Sequence, residues 1–248
     1  MLDVKELTLI RGKSTILSNV SFTLKKGSVT VLLGKNGSGK TSLLRCLSRE
    51  LIPFGSITLA GDPLASLPPR ERARRLGLMP QLLPPTDMSV RELCLLGRSP
   101  HRRLLSRLSR TDRAAVSHAL EVTGLMPLAE RSVHSLSGGE QRRAFFATLL
   151  AQDTPLLLLD EPTAHLDAAA RRHLLSLVSR VAREEGRTVL CVLHELSDAV
   201  RLADRVLVLD NGQLAFDGTT AEFIASPLPE HHFGTTRHHG EDGLPLYY

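Results

Sequence analysis

The chain has 248 residues, 42% of them hydrophobic, so it is long enough for one large domain with a buried core and too apolar for global disorder. Its net charge of +5 suits a nucleic-acid partner or an anionic membrane surface, but only 4% aromatic residues and no tryptophan count against stacking on single-stranded bases. No apolar run approaches the ~18 residues that span a bilayer, and the start does not resemble a signal peptide. The three cysteines lie far apart, as expected of reduced cytosolic thiols.

The first part of the chain predicts β-structure leading to a phosphate-binding loop. Residues 2–10 alternate polar and apolar side chains, as an edge or half-exposed strand would, and residues 18–24 repeat that pattern. The apolar run 29–33 predicts a buried strand. Residues 34–41 then fit the phosphate-loop pattern Gly-x-x-x-x-Gly-Lys-Ser/Thr, and leucines at helical spacing follow.

The residue types in this loop explain how it would bind phosphate. Glycines allow a tight turn whose N–H groups point at phosphate oxygens, and the following helix adds the positive end of its dipole. Lys40 would bind the β- and γ-phosphates, and the Thr41 hydroxyl would ligate Mg²⁺. The predicted nucleotide-binding residues are Gly34, Lys35, Asn36, Gly37, Ser38, Gly39, Lys40, Thr41 and Ser42. By itself, the loop predicts only a site for a nucleoside triphosphate.

The rest of the chain predicts a helical insertion within an α/β domain. A short strand is expected at 55–61 and a basic helical turn at 68–75, and the pattern from 89 to 151 is helical. After that, strands and helices alternate, which indicates a parallel sheet with crossover helices. These later elements are predicted at 156–160, 168–185, 188–193, 195–203 and 205–210, followed by a hairpin turn at Asn211-Gly212.

Two carboxylates follow a run of four leucines at 156–159. Such a run fits a central strand of a parallel sheet, and ligands bind at the carboxyl ends of these strands. Asp160 would hold Mg²⁺, directly or through water, and Glu161 would polarise the attacking water. The alternative, a strand capped by solvated acids, is disfavoured by the accompanying phosphate loop.

The segment Leu-Ser-Gly-Gly-Glu-Gln at 136–141 begins a predicted helix and forms a second predicted anion site, with a plain N-cap as the local alternative. Together with the preceding motifs, it resembles the ATP-binding-cassette (ABC) family, whose signature is Leu-Ser-Gly-Gly-Gln/Glu. The resemblance covers roughly residues 2–225. It implies an α/β fold: a P-loop NTPase (RecA-like) core with an antiparallel β subdomain and an inserted helical subdomain. The implied ABC ATPase domain at 1–225 divides into the core plus β subdomain (1–84 and 152–225) and the helical subdomain (85–151), before a C-terminal tail (226–248).

Other family motifs follow in order along the chain. Gln81 matches the glutamine loop and would join Thr41 and Asp160 as Mg²⁺ ligands. Asp167 ends a segment similar to the family's D-loop, here Ala-His-Leu-Asp instead of Ser-Ala-Leu-Asp. His194 matches the switch histidine that contacts the γ-phosphate, although Glu195 follows it where Asp is usual. The signature residues expected to meet ATP on the opposite protomer are Ser137, Gly138, Gly139 and Glu140.

One family position departs from the pattern. The family usually has an aromatic residue that stacks on adenine just before a glycine of the first hairpin, whereas Arg11 precedes Gly12 here. A planar guanidinium can stack on a base, so Arg11 is a candidate adenine contact. The alternative is a solvent-facing arginine without nucleotide contact, and both possibilities stay open.

The segment after the glutamine loop narrows the resemblance. Met-Ser-Val-Arg-Glu-Leu at 88–93 and Gly-Arg-Ser-Pro-His-Arg at 97–102 are similar to ATPases of ferric-siderophore, haem and cobalamin importers. The resemblance implies an ATP-hydrolysing subunit that uses ATP and Mg²⁺ and forms a head-to-tail homodimer at the cytoplasmic face of the inner membrane. Its implied partners are two membrane permease subunits and, indirectly, a substrate-binding protein, without nucleic acid. The alternative, slightly favoured by the basic charge, is a soluble ABC ATPase acting on ribosomes or DNA.

A basic run lies just beyond this segment. It contains Arg98, His101, Arg102, Arg103, Arg107, Arg110 and Arg113. The pattern predicts a solvated helical face, with a surface that meets lipid phosphates as the alternative.

Overall fold

Strands and helices alternate along the part of the chain that the computed structural model describes, which is residues 1–103, 107–240 and 243–247. The strands are β1 (Leu2–Arg11), β2 (Ser14–Leu24), β3 (Val29–Leu33), β4 (Phe54–Leu59), β5 (Asp62–Pro63), β6 (Leu76–Met79), β7 (Leu156–Asp160), β8 (Thr188–Val192), β9 (Arg205–Asp210), β10 (Gln213–Thr219), β11 (Arg237–His239) and β12 (Pro245–Tyr247). The α-helices are α1 (Lys40–Leu47), α2 (Pro69–Arg75), α3 (Val90–Gly97), α4 (Arg110–Val122), α5 (Gly138–Ala151), α6 (Ala168–Glu184), α7 (Leu196–Leu202), α8 (Thr220–Ala225) and α9 (Leu228–Phe233).

The larger sheet has six strands in the order β10-β9-β3-β8-β7-β6. Its pairs are parallel except for β10, which returns antiparallel to β9 through the predicted hairpin turn. Every residue of β3, β7 and β8 is buried, because helices and the second sheet cover both faces. Since these strands are parallel, their carboxyl ends lie along one edge of the sheet.

A four-stranded antiparallel sheet, in the order β2-β1-β4-β5, covers one face of the larger sheet. Buried and more exposed residues alternate along β1 for its first residues, which confirms the half-exposed strand expected at 2–10. The edge position is wrong, because β1 pairs with β2 on one side and with β4 on the other.

Two hydrophobic clusters occupy the two faces of the six-stranded sheet. Leu32 and Leu158 point towards α1 and the antiparallel sheet, whereas Val31 and Leu159 point towards the helices on the opposite face. This division follows from the two-residue periodicity of a strand, which sends successive side chains to opposite faces. The sheet thereby fixes where each strand ends and presents its next residue.

The helices α3, α4 and α5 occupy the region where the sequence predicts helical structure. Each begins with a serine N-cap in a capping box: Ser89 with Glu92, Ser109 with Asp112, and Ser137 with Glu140. In this arrangement, the serine accepts from a backbone N–H that has no partner within the helix. Polar pairing at the helix starts therefore fixes their boundaries.

The basic run is not a single exposed face. The Arg98 guanidinium is 3% exposed and donates from Nε to Asp112 Oδ1 at 3.1 Å and from Nη1 to the carbonyl oxygen of Ala151 at 2.8 Å. The prediction of a solvated or lipid-facing side chain is therefore wrong for Arg98, which instead joins α4 and α5. Arg103, Arg107 and Arg110 are exposed, and their contact with lipid stays a prediction.

The C-terminal tail, for which the sequence gives no clear pattern, packs against α7. The Tyr247 ring is buried, and its backbone N–H donates to Ser197 Oγ at 2.9 Å. The Arg237 guanidinium lies 5.9 Å from the centre of the Tyr247 ring and contacts Glu230 at 2.9 Å. The hairpin of β11 and β12 is thereby attached to the helix that follows His194.

The three cysteines are free and buried, with Cys46 on α1, Cys94 on α3 and Cys191 on β8. They lie on three separate elements, and their reduced state in the cell stays a prediction. Within the described ranges, no helix is both long and apolar enough to cross a bilayer.

Candidate active site

The candidate site residues lie just beyond the carboxyl ends of four parallel strands, at one edge of the larger sheet. The phosphate loop follows β3, Gln81 lies two residues beyond β6, Glu161 follows β7, and His194 lies two residues beyond β8. They border a cavity of about 670 Å³. Its lining residues are Ile16, Asn36, Gly37, Gly39, Lys40, Thr41, Ser42, Gln81, Glu161 and His194.

The phosphate loop depends on glycine at several positions. Gly37 has φ +80° and Gly39 has φ +103°, values that L-residues rarely adopt. A Cβ at Gly39 would also lie 2.8 Å from Leu17 Cδ2, so α1 approaches β2 too closely for a side chain. The loop backbone is thus held open towards the cavity at the N-terminus of α1.

The Lys40 side chain is hydrogen-bonded to the backbone of the phosphate loop. Its Nζ donates to the carbonyl oxygens of Gly34 at 2.8 Å and Lys35 at 3.0 Å. Burial lowers the Lys40 pKa, while the negative charges of Glu161 and Asp160 oppose that shift. The ammonium group is therefore positioned and only partly compensated by carboxylates, which suits it to bind phosphate.

The residues expected to hold Mg²⁺ divide into two groups. Thr41 Oγ1 donates to Asp160 Oδ1 at 3.3 Å, and this pair of oxygens fits the preference of Mg²⁺ for hard ligands. Nearby, the hydroxyl of Ser38 is buried without a hydrogen-bond partner among the described residues, which fits a loop shaped for an additional polar group. Gln81 instead donates from Nε2 to Glu161 Oε2 at 2.6 Å, so its role as a Mg²⁺ ligand stays a prediction.

Asp160 is buried behind Thr41 in a position unfavourable for a charge. Burial raises its pKa, the nearby charge of Glu161 raises it further, and the hydrogen bond from Thr41 opposes the shift. A cation at this position would relieve the cost of charging Asp160. The charged form of Asp160 therefore lowers the stability of the nucleotide-free protein.

Glu161 is held at the border of the cavity by contacts to both of its carboxylate oxygens. Gln81 binds one carboxylate oxygen, and Nε2 of His194 lies 2.5 Å from the other. Its backbone has φ +49°, a left-handed conformation that costs a residue with a Cβ about 1 kcal/mol or more. Strained backbone and two side-chain contacts together aim this carboxylate into the cavity.

Two residues near the site were missed by the sequence analysis. Ile16, on β2, adds an apolar surface to the otherwise polar cavity. Arg142, on α5, is 9% exposed and donates from Nη1 to the carbonyl oxygen of Gln81 at 2.8 Å. Arg142 shows no signal in the sequence beyond its position near the Leu-Ser-Gly-Gly segment, because its burial depends on segments distant in the chain.

The remaining predicted residues lie outside the cavity lining. Ser137 caps α5, and its hydroxyl binds Glu140 Oε2 at 2.7 Å; Asp167 caps α6 by accepting from the N–H of Ala170 at 2.8 Å. A Cβ at Gly138 would meet nothing within 4 Å, so this helix start is open to an incoming group. Arg11 is exposed at the end of β1, and its contact with adenine stays a prediction.

Comparison with known families decides what this arrangement is. A family model described as ABC transporter matches residues 17–164, which include the phosphate loop, the signature segment and the two carboxylates at the carboxyl end of β7. The chain belongs to the ABC transporter family. As an ABC-type ATPase, it binds and hydrolyses ATP.

Curated relatives of this ABC ATPase are ATP-binding proteins of iron-related transporters. It is 40% identical to the ferric enterobactin transport ATP-binding protein FepC of Escherichia coli over 93% of this chain and 86% of the relative. It is 38% identical to the hemin import ATP-binding protein HmuV of Plesiomonas shigelloides, over 90% of both chains.

Solved structures confirm the fold class of this ABC ATPase. An inward-facing transporter of the metal-chelate type matches with a TM-score of 0.86 and 27% identity, over 100% of this chain and 96% of the other. A dimeric ATP-binding cassette bound to ADP and Pi matches with a TM-score of 0.75 and 25% identity, over 89% of this chain and 99% of the other. The P-loop NTPase core with added antiparallel and helical parts is therefore the fold of this protein.

Proposed function

We propose that this ABC ATPase energises the import of an iron chelate such as a ferric siderophore, of haem, or of cobalamin through a membrane permease. The observation that carries the proposal is similarity along nearly the whole chain to proteins named for ferric enterobactin and hemin transport. The match to a metal-chelate type transporter supports the same substrate class.

In the proposed binding step, the phosphate loop holds the triphosphate of ATP. Backbone N–H groups of residues 34–42 would surround the phosphate oxygens, and Lys40 would exchange its loop carbonyls for the β- and γ-phosphates. Ile16 is placed to contact the apolar part of the nucleotide, because it borders the same cavity. Arg11 would stack on adenine if the hairpin brings its guanidinium over the base.

In the proposed hydrolysis step, Glu161 acts as the general base. A carboxylate oxygen of Glu161 would accept a proton from water while the water oxygen attacks the γ-phosphorus and the bond to the β–γ bridging oxygen breaks. Gln81 and His194 would keep the carboxylate aimed at that water, since each contacts one of its oxygens. His194 would also contact the γ-phosphate.

The residues proposed to hold Mg²⁺ are Thr41, Asp160 and Gln81. When bound, Mg²⁺ would neutralise charge that develops on the β- and γ-phosphate oxygens. Asp160 is suited to this task because its buried carboxylate has the Thr41 hydroxyl beside it and no full compensation of its charge. Ionisation of the Asp160 carboxyl group would thereby be linked to the binding of Mg²⁺.

A second copy of the chain would complete each site. The signature residues Ser137, Gly138, Gly139 and Glu140 would close over ATP bound to the opposite protomer, with Asp167 near the interface. The open space at Gly138 and the N-terminal position of these residues on α5 support an anion contact there. A head-to-tail dimer with two shared sites follows.

We place this dimer at the cytoplasmic face of the inner membrane, bound to two permease subunits. A substrate-binding protein would act indirectly by delivering the chelate to the permease. ATP would close the dimer and hydrolysis would open it, so that movement passes to the permease near Gln81 and the helical region.

Reconstitution tests the proposal directly. The chain would be co-purified with the permease encoded by a neighbouring gene and placed in liposomes with the matching substrate-binding protein. The liposomes would then receive ATP and a labelled ferric siderophore, haem or cobalamin. We expect ATP-dependent uptake of one of these compounds and none with the Glu161→Gln variant. Co-purification of ribosomes or DNA without a permease would instead support a soluble ABC ATPase.

A further inference from the structure

Arg142 lies at a junction of three chain segments. From its place on α5, the guanidinium donates from Nη1 to the carbonyl oxygen of Gln81 at 2.8 Å and from Nη2 to that of Ala164 at 3.5 Å. Gln81 follows β6 and Ala164 lies in the loop after β7, so one side chain ties both to the helix that begins at Ser137. These hydrogen bonds join α5, called the signature helix because it begins with the signature residues, to the edge of the larger sheet.

The electrostatic setting of Arg142 links it to the catalytic carboxylate. Both of its described hydrogen bonds go to backbone carbonyls. Burial lowers the Arg142 pKa, and the negative charge of Glu161 opposes that shift. The guanidinium is thus buried at a cost and remains within the field of Glu161.

A chain of contacts leads from Arg142 to Glu161. Arg142 fixes the carbonyl of Gln81, and the amide of the same residue donates to Glu161 Oε2 at 2.6 Å. Glu161 needs such support because its backbone is held in a left-handed conformation. A small shift of Gln81 would therefore redirect the carboxylate.

We infer that Arg142 is a positioning residue that acts through Gln81 to align Glu161, and that it couples the signature helix to the catalytic carboxylate. This inference rests on the proposed role of Glu161 as general base. Arg142 does not border the nucleotide cavity, and Lys40, Thr41 and Ser42 of the phosphate loop are unchanged in its variants, so we expect its main effect on the chemical step.

The first test compares kcat with KM for ATP in the purified full chain. Arg142→Gln should lower kcat by roughly tenfold and change KM by less than about twofold, because a misaligned base loses rate without losing substrate contacts. Arg142→Lys keeps the charge but replaces the forked guanidinium by a single ammonium group, so it should have an intermediate kcat.

Arg180→Gln provides a control at a more exposed arginine. Arg180 also donates to a backbone carbonyl, that of Val122, and joins α6 to the end of α4 away from the cavity. This variant should keep both kcat and KM. A loss of kcat in Arg180→Gln equal to that in Arg142→Gln would reduce the role of Arg142 to general stability and overturn the inference.

A double-mutant cycle with Gln81→Ala tests the route of the effect. If Arg142 acts through Gln81, Arg142→Gln should lower kcat by less than about twofold in the Gln81→Ala background. Multiplicative losses in the double variant would overturn the inference. If Arg142→Gln does not fold, as judged by its thermal transition, the same cycle with Arg142→Lys decides.

Failure of the inference is distinguishable from failure of the proposed function. If Glu161→Gln hydrolysed ATP at the wild-type rate, Glu161 would not be the general base, and the proposed function of this residue would fail. An inactive Glu161→Gln variant beside an Arg142→Gln variant of wild-type kcat would leave the base in place and refute only the role of Arg142.

Discussion

Nε2 of His194 lies 2.5 Å from Oε1 of Glu161, so the residues that follow β8 and β7 are in direct contact. Oε2 of the same carboxylate accepts a hydrogen bond from Gln81. Because each carboxylate oxygen has a second lone pair, both contacts can persist while Glu161 accepts a proton from water. The strands β8 and β6 flank β7 in the sheet, so the segments that follow them contact the Glu161 side chain from both sides.

Glu161→Gln should lower the rate of ATP hydrolysis by ~10²–10⁴, the usual contribution of a positioned general base. The amide keeps the size of the side chain but lacks the charge that polarises water. Since Lys40, Thr41 and Asp160 are unchanged, the variant should accumulate as an ATP-bound dimer. Size-exclusion chromatography with Mg-ATP measures that dimer.

Two controls separate hydrolysis from binding. Lys40→Ala should lose tight ATP binding and elute without the trapped dimer. His194→Ala should also hydrolyse slowly, but its trapped dimer should be less stable, because a contact to the γ-phosphate is lost. Near wild-type hydrolysis by Glu161→Gln would mean that another residue is the base.

Asp160→Asn should stabilise the nucleotide-free protein at neutral pH. The folded-state pKa of Asp160 is raised by burial, so its stabilising contribution is present below the unfolded pKa of about 3.9 and is lost as pH rises through the folded pKa. Asparagine retains an oxygen that accepts from Thr41 and avoids the buried charge. Thermal unfolding should show a Tm higher by a few degrees at pH 7 than in the wild type and no advantage near pH 3.

The same substitution should impair hydrolysis, because Asp160 is a proposed Mg²⁺ ligand. An equal Tm for both proteins at pH 7 would show that charging Asp160 costs the folded state little. Asp217→Asn serves as a control, since Asp217 pairs with Arg205 at a more exposed site and its replacement should not raise Tm.

Local sequence patterns account for much of the fold. The apolar runs of β3, β7 and β8 are long enough to identify buried strands, and the glycines of the loop at 34–39 mark the turn after β3. By contrast, β6 has only four residues and includes Gly77, so it lacks a clear strand signal. Its place beside β7 was not predictable, although it positions Gln81.

Contacts between distant segments explain what the sequence did not reveal. Arg98 and Arg142 are both buried arginines, but their partners lie on other helices or loops, and a charged residue in the sequence gives no sign of such a partner. The tail is similar, because Tyr247 becomes buried only through α7. Residue type and spacing predicted the loop chemistry, whereas these positions required the three-dimensional packing.

Arg98→Met should destabilise the protein by about 3–5 kcal/mol, since the carboxylate of Asp112 keeps its hydrogen bonds from Ser109 but is left buried without a compensating charge. Chemical denaturation would measure the free energy of unfolding. The control is Arg91→Met, because the Arg91–Glu130 pair is exposed and should contribute less than about 1 kcal/mol. Equal losses in the two variants would contradict the importance of burial.

Arg11→Ala should raise KM for ATP several-fold and leave kcat nearly unchanged, if the guanidinium stacks on adenine. Arg11→Tyr should keep the affinity, because an aromatic ring can occupy the same stacking position. Normal ATP binding by Arg11→Ala would show that the base is held elsewhere. Ile16, which borders the cavity, is then the next residue to replace.

The three buried thiols provide internal reporters of local opening. Burial raises the pKa of Cys46 to about 11 and that of Cys94 to about 12, so neither reacts readily while its surroundings stay closed. Cys46 lies in the last turn of α1, the helix that follows the phosphate loop, Cys94 lies on α3 and Cys191 lies in the central sheet. Pulsed alkylation followed by mass spectrometry would therefore compare how readily three separate regions open with and without ATP, and no reporter residue has to be engineered into the chain.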